Sequence, residues 1–213
     1  MIITIDGPAG SGKSTVAKLL ADQLDIRFLD TGAMYRAVAL AVLKSGASEN
    51  DSVAVATAAQ SATLQFQGNA LHLNGEDVSA EIRTPQVTAI SSVIAANPDV
   101  RKCLVEQQRA IGKTGSLVTE GRDQGSVVFP DAEYKFFVTA SVDARARRRH
   151  RELVSKGSGL TLSVVRKQLR QRDDRDENRI HAPMKPADDA EVIDTSDMSI
   201  AQVVAELADM VQQ

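Results

Sequence analysis

The chain has no tryptophan, two tyrosines, five phenylalanines and a single cysteine, Cys103, among its 213 residues. Each scarcity excludes something. So few aromatics leave little from which to build a stacking platform for single-stranded nucleic acid. One cysteine cannot close an intrachain disulfide, which suits a reducing cytoplasm, and a lone thiol in an apolar-patterned stretch reads as a small core residue rather than a nucleophile. No apolar run reaches the roughly 20 residues a membrane helix needs, and Met1-Ile2-Ile3-Thr4-Ile5 lacks the basic start and long apolar region of a secretion signal. Nor is there an excess of positive charge. With a formal net charge of -3 and a pI near 5.7, the chain has no electrostatic reason to hold DNA or RNA non-specifically. We therefore expect neither nucleic acid nor membrane as a partner, and a small molecule instead.

What is present is an alternation of short β-rich runs with helical stretches. Ile2-Asp6, Ile26-Leu29, Leu117-Thr119, Tyr134-Val138 and Val192-Ile193 read as strands, almost unbroken by polar residues, as suits a parallel sheet covered on both faces. Apolar residues at helical spacing predict helices over 13–24, 33–43, 96–111, 143–155, 162–179 and 200–211. This order argues for an open α/β sheet with helices on both faces. From about residue 60 to 95 the rhythm breaks. There Leu64-Gln65-Phe66, a Gln67-Gly68-Asn69 turn and Leu71-His72-Leu73 before Asn74-Gly75 predict a small antiparallel insertion. The length allows one domain with a core of residues 1–59, 96–143 and 181–213. A helical hairpin over about 144–180 is expected from two charged helices joined at Lys156-Gly157-Ser158-Gly159.

Gly7-Pro8-Ala9-Gly10-Ser11-Gly12-Lys13-Ser14 fits G-x-x-x-x-G-K-[ST] at every specified position, after a predicted strand and before a predicted helix. The glycines let the backbone wrap a phosphate with its N–H groups inward, and the helix adds its positive end. Lys13 is placed to reach the β- and γ-phosphates and the Ser14 hydroxyl to hold Mg²⁺. The loop alone does not fix the chemistry. No Asn-Lys-x-Asp base-reading motif is present, which argues against a switch GTPase, and a helicase needs more chain. A small-molecule kinase remains.

A kinase acting on a phosphorylated acceptor must hold two anions, and three segments offer the groups for it. Asp30-Thr31-Gly32-Ala33-Met34-Tyr35-Arg36 follows the second strand at the carboxyl edge of the sheet, where ligands bind in such folds; packing for Tyr35 and solvation for Arg36 is the alternative. Glu120-Gly121-Arg122-Asp123 follows the third strand, and Arg122 there can fork onto a phosphate; a turn with a surface ion pair is the alternative. In Arg172-Asp173-Asp174-Arg175-Asp176-Glu177-Asn178-Arg179 the helical spacing puts Arg172, Arg175, Asp176 and Arg179 on one face. Such a stripe suits either a solvated surface or a clamp on transferring phosphates.

These motifs, with Ile82-Arg83-Thr84 and Val127-Val128-Phe129-Pro130, resemble the bacterial cytidylate kinases of the nucleoside monophosphate kinase group over essentially the whole length. The resemblance implies a P-loop kinase that uses ATP and Mg²⁺ to phosphorylate CMP and dCMP; apart from it, we expect the protein in the cytoplasm and as a monomer. The resemblance also implies a donor site of Gly7, Pro8, Ala9, Gly10, Ser11, Gly12, Lys13, Ser14 and Thr15, and an insertion on the acceptor side. Thr31, standing where serine is also common, lies with Tyr35 and Arg36 at the acceptor; Ser92 and Arg101 match positions touching the cytosine and the phosphate. Arg122 and Asp123 match the pair at the acceptor phosphate and sugar, Asp176 the sugar side, and Arg172 and Arg179 the lid arginines, with Lys13, Arg122, Arg172 and Arg179 catalytic. A kinase for another small acceptor, or a binding module that reads ATP state, are the competing expectations.

Overall fold

The computed structural model describes residues 1–68 and 70–212. Asn69, the last residue of the expected Gln67-Gly68-Asn69 turn, and Gln213 lie outside the described residues. The chain forms two compact units, one of Met1–Leu29 with Thr114–Gln213 and one of Asp30–Lys113.

In chain order the elements are β1 (Ile2–Asp6), α1 (Lys13–Leu24), β2 (Arg27–Asp30), α2 (Thr31–Lys44), α3 (Ser52–Ser61), β3 (Leu64–Gln67), β4 (Ala70–Leu73), β5 (Glu76–Asp77), α4 (Pro85–Ile94) and α5 (Pro98–Gly112). There follow β6 (Leu117–Gly121), β7 (Tyr134–Thr139), α6 (Val142–Ser155), α7 (Leu162–Asn178), β8 (Glu191–Asp194) and α8 (Ile200–Gln212). The predicted strands and long helices are therefore present, with ends shifted by one or two residues, the usual uncertainty of a boundary read from pattern.

Among the described residues, five strands join in the order β2-β6-β1-β7-β8. β1 runs parallel to both β6 and β7, pairing Asp6 with Gly121 on one side and with Phe137 on the other, and β7 runs parallel to β8. The strand order thus reverses beside β1, and the carboxyl end of β1 is the crevice where open α/β sheets bind ligands. Burial explains why these strands were readable as apolar runs. Ile3, Ile5, Val118, Phe136 and Val138 are buried together with Val16 and Leu20 of α1 and Val203 and Leu207 of α8, so both faces of the central strands are covered and no polar alternation is needed.

Gly7 opens the loop after β1 with a φ of +143°, and a Cβ there would stand 2.1 Å from the carbonyl oxygen of Val138. Only a residue without a side chain fits both the torsion and the space. We expect Gly7→Ala to destabilise the protein by about 3 kcal/mol or more, from backbone strain and overpacking together. A shift of the urea midpoint relative to the unmutated chain measures it, and an unchanged midpoint would mean that the loop relaxes freely.

The second unit pairs α2 with α4 and α3 with α5. β3, β4 and β5 form its antiparallel sheet, with Leu64 opposite Leu73 and Gln67 opposite Ala70. Leu71 and Leu73 point inward while Gln65 and Gln67 are exposed, the period-two pattern that betrays a half-buried sheet. The helices start on sequence-encoded caps. Asp51, Thr84 and Asn97 each accept from N–H groups of the first turn, and Pro85 and Pro98 sit at the first helical position, where their missing N–H costs nothing.

Candidate active site

The loop between β1 and α1 is shaped by what holds its carbonyl groups. The Ala9 carbonyl accepts from Arg145 NH1 at 3.1 Å. The Ser11 carbonyl accepts from Arg148 NH1 at 3.2 Å and from Thr195 Oγ1 at 3.3 Å, and the Gly12 carbonyl from the N–H groups of Thr15 and Val16. A planar trans peptide points its C=O and the next N–H in opposite directions. The N–H groups of Gly10, Gly12 and Lys13 therefore each point away from the groups that hold the preceding carbonyl. Ser11 is 1% exposed and its Oγ has no hydrogen-bond partner among the described residues. A buried, orphaned hydroxyl costs about 1–3 kcal/mol unless a ligand satisfies it, and in a loop that offers backbone N–H groups that ligand is an anion. Ser14 and Thr15 are exposed in the first turn of α1, so their hydroxyls are accessible.

Lys13 is buried. Its Nζ lies 3.3 Å from the Pro8 carbonyl and 3.7 Å from Glu120 Oε2. Burial, with Arg122 and Arg172 nearby, lowers its pKa to about 8, while Glu120 and Asp176 oppose the fall. Arg122 Nε is 2.9 Å from Asp176 Oδ2. Burial pulls the Arg122 guanidinium down, but Asp176 and Glu120 outweigh it and hold its pKa above its ordinary value. Burial likewise pushes Asp176 up, and Arg122, Arg172 and Arg179 more than offset it, so this carboxyl stays below the usual range. Arg179 NH2 stands 3.5 Å from Asp123 Oδ1. Lys13, Arg122, Arg172 and Arg179 thus form one electrostatic cluster, in which carboxylates compensate cations that would otherwise repel in a low-dielectric setting.

The helical stripe expected on α7 needs correction. Arg172 and Asp176 do face inward, but Arg175 is exposed and bonds back to the Gln171 carbonyl. Arg179 is not helical: its ψ of 141° ends α7, and its Nε donates to the Ala182 carbonyl. The spacing rule assumed a helix through 179, and the helix stops one residue earlier.

Three residues that the sequence reading did not assign also belong to this unit's site. Glu120 is the penultimate residue of the wholly buried strand β6; an ionisable group near the end of a buried strand was its available signal. Asp6 accepts from the N–H groups of Gln124 and Gly125, each at 2.8 Å, and so ties the end of β1 to the turn that carries Arg122 and Asp123. Burial pushes its carboxyl up to about 7 in spite of these two bonds. Arg145 of α6 is 5% exposed and reaches Asp173 at 2.5 Å; it lay hidden in a run of arginines.

In the second unit, Asp30 Oδ1 caps α2 by accepting from Ala33 N, while its Oδ2 takes Arg36 NH2 at 3.0 Å and lies 3.7 Å from Arg83 NH2. Arg36 is therefore a folded-back, paired group rather than a solvated one, and its buried Nε has no partner among the described residues. Arg101 is buried, with its guanidinium carbon 5.9 Å from the centroid of the Tyr35 ring, within cation–π range. Thr31 is 2% exposed at the start of α2, and Ser92 is half-buried on α4.

A family model described as cytidylate kinase matches residues 3–213. Proteins named cytidylate kinase are similar over nearly all of the chain. The one from Paraburkholderia phytofirmans is 47% identical, covering 97% of this chain and 90% of its own, and the one from Clostridioides difficile is 45% identical, covering 97% and 96%. A solved structure of an uncharacterized protein from Eubacterium ventriosum shares the fold, with a TM-score of 0.51 at 13% identity, covering 100% of this chain and 99% of that one.

Proposed function

Because the chain belongs to the cytidylate kinase family, we propose that it transfers the γ-phosphoryl group of ATP to CMP, giving ADP and CDP, and accepts dCMP in the same way. The observation that carries this reading is the gathering of Arg122, Arg172 and Arg179 with Lys13 in one cluster of charge. Hydrolysis needs a single anion site, whereas two negatively charged nucleotides brought together need several guanidiniums.

The residues divide by chemistry. Gly7, Pro8, Ala9, Gly10, Ser11, Gly12, Lys13, Ser14 and Thr15 take the triphosphate, with the orphaned Ser11 hydroxyl and the backbone N–H groups of the loop donating hydrogen bonds to its oxygens. The exposed Ser14 hydroxyl holds Mg²⁺, which supplies charge neutralisation on the phosphate oxygens when bound. Arg122 takes the acceptor's phosphate, with Asp123 and Asp176 on its sugar. In the second unit Thr31, Tyr35, Arg36, Ser92 and Arg101 bind CMP; the unpartnered Nε of Arg36 and the cation–π pair of Arg101 with Tyr35 support that assignment. The hairpin of α6 and α7, within about residues 144–180, is the lid that excludes water, which competes for the γ-phosphoryl group.

In the reaction an oxygen of the CMP phosphate forms the new bond to the γ-phosphorus, and the bond from that phosphorus to the β–γ bridging oxygen breaks, so that ADP leaves. The attacking oxygen is already ionised and no general base is required. Positioning and electrostatic stabilisation by Lys13, Arg122, Arg172 and Arg179 supply the rate. A cytoplasmic monomer completes the proposal; among the described residues no helix is long and apolar enough to cross a membrane.

The test is ADP production with each nucleoside monophosphate supplied in turn. Strong dependence on CMP or dCMP is the expected result. ADP released at the same rate with no acceptor, and coupled to capture of a protein, would replace the kinase with a binding module that reads ATP state.

A further inference from the structure

Arg145 lies outside the family motifs on which the site assignment rests, and the Nε and NH1 of its buried guanidinium are held by protein groups. Its Nε donates to the Ala140 carbonyl at 2.8 Å, and its NH1 donates to both the Ala9 carbonyl at 3.1 Å and Asp173 Oδ2 at 2.5 Å. The three acceptors belong to the end of β7, the phosphate loop and α7. An apolar contact runs in parallel: Ala9 packs in a small cluster with Ala146 of α6 and Val165 and Leu169 of α7. Gly10, next along the loop, would place a Cβ 3.4 Å from Arg145 Cβ, so the loop lies directly on α6. The hairpin is therefore fastened at its base to the phosphate loop by Arg145 and Arg148 of α6, on the Ala9 and Ser11 carbonyls, and by the packing of Ala9; of the two arginines, Arg145 is the one that also reaches α7.

We propose that Arg145 is a positioning residue that sets the phosphate loop and the arginine row of α7 in register. Two consequences follow from the geometry. Fixing the Ala9 carbonyl turns the Gly10 N–H toward the triphosphate, because the peptide between them is planar. Fixing Asp173 holds the turn of α7 that carries Arg172 and Asp176. Arg145 touches no reacting atom. It acts through the loop on ATP binding and through Asp173 on turnover, and lysine cannot replace it, since one ammonium cannot span three acceptors in a fixed fork. This rests on the kinase reading for its turnover arm, but not for its binding arm.

The two arms separate in two variants. Arg145→Lys is expected to weaken binding of a non-hydrolysable ATP analogue about tenfold and to lower kcat at saturating ATP and CMP by about 10- to 100-fold, the scale of a misplaced catalytic group. Asp173→Asn keeps the shape but removes the charge, and is expected to lower kcat by about tenfold with analogue affinity within about threefold of the unmutated chain. A role confined to holding the hairpin together gives a different result: both variants melt at lower temperature while the folded protein keeps its analogue affinity and its kcat, and that result overturns the proposal. Should Arg145→Lys fail to fold, Asp173→Asn decides alone, and full turnover in it overturns the proposal. If the unmutated chain does not phosphorylate CMP, the kinase reading fails by itself, and the analogue affinity of Arg145→Lys still decides this one.

Discussion

Replacing Arg179 by alanine is expected to lower kcat by about 10³-fold or more, while ATP binding weakens by no more than about threefold. The size follows from what a guanidinium does when charge shifts during phosphoryl transfer, an effect of about 10³–10⁵ when a single arginine is supplied or withheld. The selectivity follows from where Arg179 sits. It stands beyond the end of α7 on extended backbone, with its Nε on the Ala182 carbonyl and NH2 3.5 Å from Asp123. Both of these groups lie outside the phosphate loop, so the substitution acts on the turn after β6 and the segment after α7 rather than on the donor's site. Removing a buried partner of Asp123 also costs about 1–3 kcal/mol of stability, and turnover must therefore be read on folded protein at saturating nucleotide. Arg179→Lys refines the test. It retains the charge without the fork, and a kcat still depressed by about 10²-fold would assign the effect to bidentate geometry rather than to charge alone. Unchanged turnover in Arg179→Ala would remove this residue from the chemistry.

How much of this was legible in the chain depended on the range over which each feature is encoded. The donor loop was fully readable, because glycine torsions, the lysine and the helix start are local and contiguous from Gly7 to Ser14. The central strands were readable because covering both faces leaves them without polar residues. The meeting of Lys13 with Arg122 was readable only as a convergence of strand ends, and Arg172 only as a position on one face of a helix. What was hidden was pairing. Nothing near Arg145 announces that its partner is Asp173, 28 residues on, or that it also serves the Ala9 carbonyl. Asp6 looked like the last residue of a strand, and its two N–H donors lie 118 and 119 residues away. Arg175 was misplaced for a related reason: periodicity gives neighbours on an ideal helix, but which of them turns inward depends on what the helix packs against.

Lys13→Met is expected to abolish measurable transfer, a loss of about 10³-fold or more, and to remove a pH dependence that the unmutated chain shows. Burial comes first in depressing its pKa to about 8, with Arg122 and Arg172 adding to the fall. The sign of the consequence for stability is fixed by comparison with its ordinary 10.5 in the unfolded chain. Between about 8 and 10.5 the unfolded chain binds more protons than the folded one, so stability rises with pH through that window and is flat below it for this group. Binding runs the other way. A triphosphate beside Lys13 restores the ammonium, so that binding above pH 8 takes up a proton, and affinity for an ATP analogue falls by up to about one decade per pH unit as alkalinity increases. Titrating analogue affinity from about pH 7 to about pH 9.5 measures this slope, and in Lys13→Met the slope attributable to this group disappears. An unmutated chain whose affinity stays level across that range would mean that the lysine is fully charged before the nucleotide arrives, and that Glu120, 3.7 Å away, outweighs the burial.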